Sequence, residues 1–270
     1  MFPAFNVFGR EIPVYGLLMV LGAVAAWGLT QILTVRKKLI KYDDVSLTFI
    51  IGFCGGITGA ALLRPIMKSV EIAFNWDKYK AIPFGALFTS LFGELVFFGG
   101  VIGGLLVVLW FCRRYKLDII NMLDLFAVGL PLGHAIGRMG CYFGGCCYGM
   151  ELPHGHPLAI IYPPASLGAP AGVPLLAVPL IEAGFLALLA VVLSFVYLKT
   201  KKPGISLCIY FLAYSAQRFT IEFFRGDLVR GVYGWFTTSQ YISIAMFLAG
   251  VYMLVRLLRK PKPAETPAGE

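Results

Sequence analysis

PLLAVPLIEAGFLALLAVVLSFVYLKTKK, residues 174–202, is an almost unbroken apolar run, interrupted by one carboxylate at Glu182 and closed by Lys199, Lys201 and Lys202. Its length suits a helix that crosses a hydrocarbon core, which needs about 20 residues. The lysines that close it place that end on the side of a membrane where basic loops collect. Further runs of span length stand at about 13–35, 46–65, 93–112, 122–140, 204–224 and 239–258, which makes seven expected membrane helices in all.

Composition agrees. Of 270 residues, 59% are apolar and 14% charged, whereas soluble domains carry about a quarter charged residues, so a water-soluble globular domain is excluded. The formal charge of +9 is read as topology and not as a nucleic-acid surface, and no nucleic-acid partner is expected. Basic residues follow every second boundary: Arg36, Lys37, Lys38 and Lys41; Arg113, Arg114 and Lys116; Lys199, Lys201 and Lys202; Arg256, Arg259, Lys260 and Lys262. If the spans alternate, all four groups lie on one side, so the amino terminus is expected outside and the carboxyl terminus in the cytoplasm. The fold class is therefore all-α, a polytopic membrane protein with a single membrane domain over 1–258 and a disordered cytoplasmic tail over 259–270. The first apolar run exceeds signal-peptide length and is expected to remain in the protein.

The face opposite the basic ends carries the longer connections, about 66–92 and 141–173, as expected of loops that serve a site or a lid. No internal repeat is evident, which weakens an inverted-repeat transporter reading. Gly52, Gly55, Gly56 and Gly59, and Gly99, Gly100, Gly103 and Gly104, form small-residue patterns best explained by close helix packing.

Ionisable residues inside spans are costly, at about 2.5–3.5 kcal/mol for Arg, Lys or Asp on insertion scales, and each needs a partner or a task. Arg64 ends the second span, Arg138 ends the fourth, Glu182 lies in the fifth, and Arg218 and Glu222 lie in the sixth. Tyr214, Arg218, Glu222 and Arg225 recur at helical spacing and form one polar stripe. Arg138 has no acid within a turn of its own sequence; its i−4 neighbour is His134. An arginine so placed is best satisfied by an anion such as a lipid phosphate, which a guanidinium grips as a planar fork, so Arg138 and Arg218 are expected to clamp one head group. Gly140, Gly144, Gly145 and Gly149 are expected to break the helix after Arg138 and to let peptide N–H groups face an oxyanion.

Cys54, Cys112 and Cys208 stand singly in apolar runs and are read as small buried hydrophobes. Cys141, Cys146 and Cys147 form a cluster beside Arg138. The run GELVFFGGVIGG at 93–104, continuing through RRYKLDIINMLDLFAVGLPLGHAIGRMGCYFGGCCYG at 113–149, together with RFTIEFFRGD at 218–227, resembles the bacterial prolipoprotein diacylglyceryl transferases. YGLLMVLG at 15–22 and Thr237, Thr238, Ser239 and Gln240 also look like that family.

The resemblance implies a seven-span enzyme of the bacterial inner membrane, with its site toward the outer leaflet. It would move the diacylglyceryl group of phosphatidylglycerol, an anionic phospholipid, onto a cysteine thiol of a prolipoprotein and release glycerol 1-phosphate. It implies that Arg138 and Arg218 hold the phosphate, that Glu222 and Arg225 organise the sixth span, and that Tyr15, Gly149 and Glu182 fall at functional or structural positions. No cofactor and no metal is expected from it.

The sequence departs from the family pattern at Phe98, where a histidine is usual, and at Cys141, where an asparagine is usual. Three readings of the altered centre follow. His134 or a bound phosphate oxygen could take the thiol proton. A cluster cysteine, Cys141 foremost, could carry a covalent intermediate or cycle as a disulfide, as in a divergent lipid transferase with another acceptor. The cysteines with His134, His154 and His156 could bind a soft metal such as zinc, although C-x4-C-C is not a standard ligand spacing. A phospholipid-binding or flipping protein without chemistry is the alternative outside the enzymes.

Overall fold

The computed structural model describes residues 4–7, 10–80, 82–92, 96–164, 166–227 and 232–259. In chain order the elements are β1 (Ala4–Val7), β2 (Arg10–Pro13), α1 (Val14–Lys37), α2 (Tyr42–Phe74), α3 (Trp76–Tyr79), α4 (Phe84–Phe92), α5 (Phe97–Arg114) and α6 (Ile119–Gly144). There follow β3 (Ala159–Ile161), β4 (Pro174–Leu176), α7 (Val178–Lys199), α8 (Ile205–Ile221), a 3-10 turn at Glu222–Phe224, β5 (Val232–Tyr233), β6 (Phe236–Thr237) and α9 (Thr238–Arg259). The strands pair only as the hairpins β1–β2, β3–β4 and β5–β6.

Among the described residues, α1, α2, α6, α7 and α9 are long and apolar enough to cross a membrane. The shorter α5 and α8, of 18 and 17 residues, overlap the other two expected runs. Leu17, Val20 and Val24 on α1 and Leu188, Val191 and Phe195 on α7 are more than half exposed. Apolar surface on that scale, on helices with all backbone bonds internal, suits lipid and not water.

The chain packs as two units, 38–122 and the remainder. In the first, α2 and α5 approach through their glycines. A Cβ built on Gly59 would stand 2.3 Å from the Gly99 carbonyl oxygen, and one on Gly103 would stand 2.5 Å from that of Gly55, so the packing explanation of both glycine patterns holds. The expectation of a loop from 66 is corrected: α2 continues through Pro65 to Phe74, and α3 and α4 occupy much of 76–92. Arg64 donates from Nε to the Ser90 carbonyl at 3.0 Å. Glu94 lies outside the described residues, as does the tail from 260.

In the second unit α7 is well enclosed: Glu182, Leu186, Leu189, Leu193 and Tyr197 are buried at helical spacing. Lys37 at the end of α1 donates to the Thr200 carbonyl at 3.0 Å and lies 3.9 Å above the Tyr197 ring, which joins the carboxyl ends of α1 and α7. Asp124, near the start of α6, is buried and accepts the Leu207 N–H at 2.8 Å, capping the first turn of α8 beside them. The Cys208 thiol donates to the Gly250 carbonyl at 3.2 Å, which sets α9 antiparallel to α8 with Arg256 and Arg259 toward the same end. By elimination, the start of α1, the end of α6, the start of α7, the end of α8 and the start of α9 share the opposite end.

Where two backbones touch through glycine, a single methyl group is decisive. Gly59→Ala should lower the melting temperature by several degrees, whereas Gly28→Ala, with nothing within 4 Å of the added carbon, should leave it unchanged; thermal unfolding in detergent reads both.

Candidate functional site at one end of the helix bundle

The end opposite the basic cluster gathers nearly every ionisable residue that the sequence places inside the spans of this unit. Arg138, six residues before the end of α6, reaches Glu182 in the second turn of α7, Nη1 to Oε2 at 2.9 Å. Arg218 of α8 approaches the other oxygen of the same carboxylate, Nη1 to Oε1 at 3.7 Å. Arg225 stands 4.0 Å from Oε2. One carboxylate, 1% exposed, thus lies among three guanidinium groups.

The expectation that Arg138 lacks an acid is therefore corrected. Its partner comes from another helix, 44 residues on, where no local spacing rule can find it. Each remaining arginine also has a carboxylate of its own. Arg218 Nη2 meets Glu222 Oε2 at 2.8 Å and donates to Ser239 Oγ at 3.0 Å, so the i,i+4 pair is formed. Arg225 holds Asp227 in a bidentate fork, at 2.8 and 2.7 Å. Asp227 is thus part of the site. Formally, three arginines face Glu182, Glu222 and Asp227, and the network closes at zero charge.

The stripe from Tyr214 to Arg225 is not one helix face. The α-helix ends at Ile221, a 3-10 turn follows, and Arg225 is extended, bridged antiparallel to Gly149. This bridge explains Gly149. A Cβ there would meet Leu176 Cβ at 2.7 Å and Val178 at 2.8 Å, and one on Gly226 would meet the Gly149 oxygen at 2.4 Å. The Gly149 N–H donates to the Leu176 carbonyl at 3.0 Å, so it does not face an oxyanion. The expected helix break after Arg138 falls at the second pair of glycines: α6 runs through Gly140 to Gly144, and Gly145 turns it at φ +69°. Gly140 instead admits Tyr15, whose ring and backbone lie 3.2–3.4 Å from the carbon a side chain there would add.

His134 accepts the Arg138 Nε–H at its own Nε2, 3.2 Å away. That nitrogen's lone pair is in use, so the imidazole orients Arg138 and takes no further proton while the bond stands. Its ring lies 5.6 Å from that of Tyr214, which stacks on Tyr210. Thr237 and Gln240 form a reciprocal capping box at the start of α9: the Thr237 N–H donates to Gln240 Oε1 at 3.0 Å, and the Gln240 N–H to Thr237 Oγ1 at 3.3 Å. The Thr237 hydroxyl donates in turn to Glu222 Oε1 at 2.9 Å. Cys141, Cys146 and Cys147 close the site below Arg138, their sulfur atoms all within 4.8 Å of one another. His134, His154 and His156 are not part of that cluster.

Three arginines from separate segments thus converge on one buried carboxylate of α7. A family model described as prolipoprotein diacylglyceryl transferase matches residues 3–256. The chain belongs to the prolipoprotein diacylglyceryl transferase family. Phosphatidylglycerol–prolipoprotein diacylglyceryl transferase of Clostridium tetani is 32% identical over 92% of this chain and 94% of its own. A second such enzyme, numbered 2 in Clostridium perfringens, is 33% identical over 92% of each chain, and that of Gloeobacter violaceus is 32% identical over 97% and 94%. The resemblance read from the motifs is thereby established across almost the whole chain. Within this transferase fold Glu182 is the residue with most to hold.

Removing one partner from a buried ion network costs about 3–5 kcal/mol, because the charge left behind is uncompensated. Glu182→Gln should therefore destabilise the protein far more than Thr237→Ala, which loses hydrogen bonds worth about 1 kcal/mol each; equal shifts in melting temperature would show that Glu182 does not hold the arginines together.

Proposed function

We propose that the protein transfers the diacylglyceryl group of phosphatidylglycerol to the cysteine thiol of a prolipoprotein, and that Arg138 and Arg218 grip the lipid phosphate. Membership of the transferase family supports the reaction. The observation that carries the site is the approach of both guanidinium groups to the two oxygens of one carboxylate, because two oxygens on one centre are also what a phosphodiester offers. Glu182 sets that spacing. Each guanidinium has five N–H donors, and those of Arg138 that point at neither Glu182 nor His134 remain for a ligand.

The acceptor sulfur attacks the glycerol carbon that bears the phosphate. A carbon–sulfur bond forms, the carbon–oxygen bond to phosphorus breaks, and the electron pair leaves on glycerol 1-phosphate, which can also take the thiol proton. Charge collects on the leaving oxygen in the transition state, and guanidinium groups that bind it more tightly there lower the barrier. An apolar groove of about 480 Å³ between α7 and α8, lined by Ile181, Phe185, Ala213, Gln217 and Ile221 among others, begins one residue from Glu182 in sequence and suits an acyl chain. Glu222, Arg225, Tyr15 and Gly149 act as positioning residues: the first two by holding the end of α8, the last two by close approach.

We place seven spans in the membrane, with the amino terminus outside, the basic ends cytoplasmic and the site toward the outer leaflet of the bacterial inner membrane. The common end shared by Lys37, Thr200 and Arg256 supports that orientation. A green fluorescent protein fused after Arg259 should fluoresce and alkaline phosphatase at the same point should be inactive; the reverse pattern would invert the topology.

Activity is tested with purified protein, labelled phosphatidylglycerol vesicles and a peptide bearing the acceptor cysteine. Glycerol phosphate release should require the thiol and vanish with a serine peptide. Arg138→Ala or Arg218→Ala should lower it by at least about 100-fold, and Arg36→Ala should not. Turnover that persists in both site variants would remove the clamp. Label retained on the protein would instead favour a cysteine-linked intermediate.

A further inference from the structure

The site grips an anion and leaves no free base. His134 Nε2 is occupied by Arg138, and Glu182, Glu222 and Asp227 are each committed to a guanidinium. A thiol is a poor nucleophile until it is a thiolate, and the phosphate leaving group gains basicity only as its bond to carbon breaks, so a device that removes the proton beforehand would speed the transfer.

Three thiols stand beside this network. Cys141 lies in the last turn of α6, and its carbonyl accepts the Cys146 N–H at 3.1 Å. Successive residues 146 and 147 would normally point apart. They do not here, because Cys147 is held in the left-handed region at φ +58°. A non-glycine residue there is strained by roughly 1–3 kcal/mol. Among the described residues, the other two non-glycine cases, Lys38 and Lys116, sit just past the ends of α1 and α5, where a left-handed residue commonly terminates a helix. Gly145 already performs that service for α6, so the strain at Cys147 has no capping role; it brings a third sulfur within 4.8 Å of the other two. None of the three is in a disulfide.

A disulfide would use two of these sulfurs and leave the third without purpose. Three corners of a tetrahedron about a cation with bonds of about 2.3 Å lie about 3.8 Å apart, a spacing the cluster accommodates. Tyr162 supplies a second observation. Its ring lies 3.1 Å from the position of a Cβ on Gly145, the residue before Cys146, and its hydroxyl is buried with no hydrogen-bond partner. A buried donor with nothing to donate to is costly; an anionic sulfur centre would satisfy it, as donors to metal-bound ligands commonly do.

We propose that Cys141, Cys146 and Cys147 form a three-thiolate site for zinc(II), whose fourth tetrahedral position receives the acceptor thiol. For zinc, three thiols and the cation give a complex of charge −1 and release three protons to water. The incoming thiol then binds as a fourth thiolate and releases one more proton, which yields the nucleophile that the transfer consumes. A spacing that looked unlike a metal motif becomes one because the left-handed residue folds two adjacent cysteines onto one side. The second part of this inference rests on the proposed transferase activity; the metal site does not.

The protein is purified in detergent without chelator and its metal content measured by mass spectrometry, with cobalt(II) exchanged in for spectroscopy. The expected result is about one equivalent of zinc per chain and thiolate-to-cobalt charge-transfer absorption. Cys141→Ser, Cys146→Ser and Cys147→Ser should each lose at least about ten-fold in metal affinity, while Cys54→Ser, an exposed cysteine of α2, retains it. Size-exclusion elution and melting temperature show that each variant is folded. Addition of the cysteine peptide, but not the serine peptide, should shift the cobalt spectrum. Absent metal, metal retained in all three variants, or a native mass two hydrogens short from a disulfide would overturn the site. A bound metal that the peptide does not perturb would overturn the activating role. Glycerol phosphate release that survives loss of all three cysteines would defeat the activating role and leave the transferase reading intact.

Discussion

A single carboxylate on α7 fixes the relation of three chain segments that are remote in sequence. In low dielectric an isolated charge is so costly that it is paired or neutralised, and Glu182, enclosed among Arg138, Arg218 and Arg225, leaves little choice of rotation for α6, α7 and α8. Sliding α6 by one residue would turn Arg138 by about 100° and strand both charges. Such pairs contribute little net stability against apolar side chains of equal size, but they specify register, and register is what a site assembled from several spans requires. The capping box at Thr237 extends the constraint to α9 through Glu222, and the fork between Arg225 and Asp227 extends it to the segment beyond α8.

Glycine plays the complementary role. Where α2 meets α5, and where residues 148–150 meet 225–226, backbone lies against backbone at distances that no side chain permits. The second contact brings Arg225 to Glu182, so Gly149 and Gly226 serve the site without touching a ligand. Hydrophobic matching to the bilayer supplies the spans, glycine supplies the close approaches, and the carboxylates supply the register.

Much of this was legible in the sequence. Periodic apolar runs and basic ends gave the helices, and the side-chain contacts of Lys37, Asp124 and Cys208 show the physical form of that pattern: ends that share a side are hydrogen-bonded to each other. Arg218 and Glu222 could be paired from spacing alone. The partner of Arg138 could not, because an ion pair across 44 residues leaves no periodic trace, and the same is true of Asp227, which needs a turn after α8 that composition does not announce. Asp124, an acid inside an apolar run, carried a readable signal that the survey of buried charges passed over; its task is to cap α8. The extension of α2 past Pro65 was missed because a proline and a basic residue together resemble a helix end, while a membrane helix tolerates proline within it. Of the glycines expected to break α6, Gly144 and Gly145 do end it, whereas Gly140 serves packing against Tyr15 and leaves the helix intact.

Convergence of Arg138 and Arg218 on one lipid phosphate is the claim on which the functional account rests, and a double-mutant cycle tests it most directly. The affinity of the protein for phosphatidylglycerol in nanodiscs, without peptide so that no turnover occurs, is measured for Arg138→Lys, Arg218→Lys and the double variant. Two forks on the same phosphate predict coupled losses, with the double variant differing from the sum of the singles by at least about 0.5 kcal/mol. Additive losses, or an affinity unchanged in either single variant, would mean that the two arginines do not share a ligand.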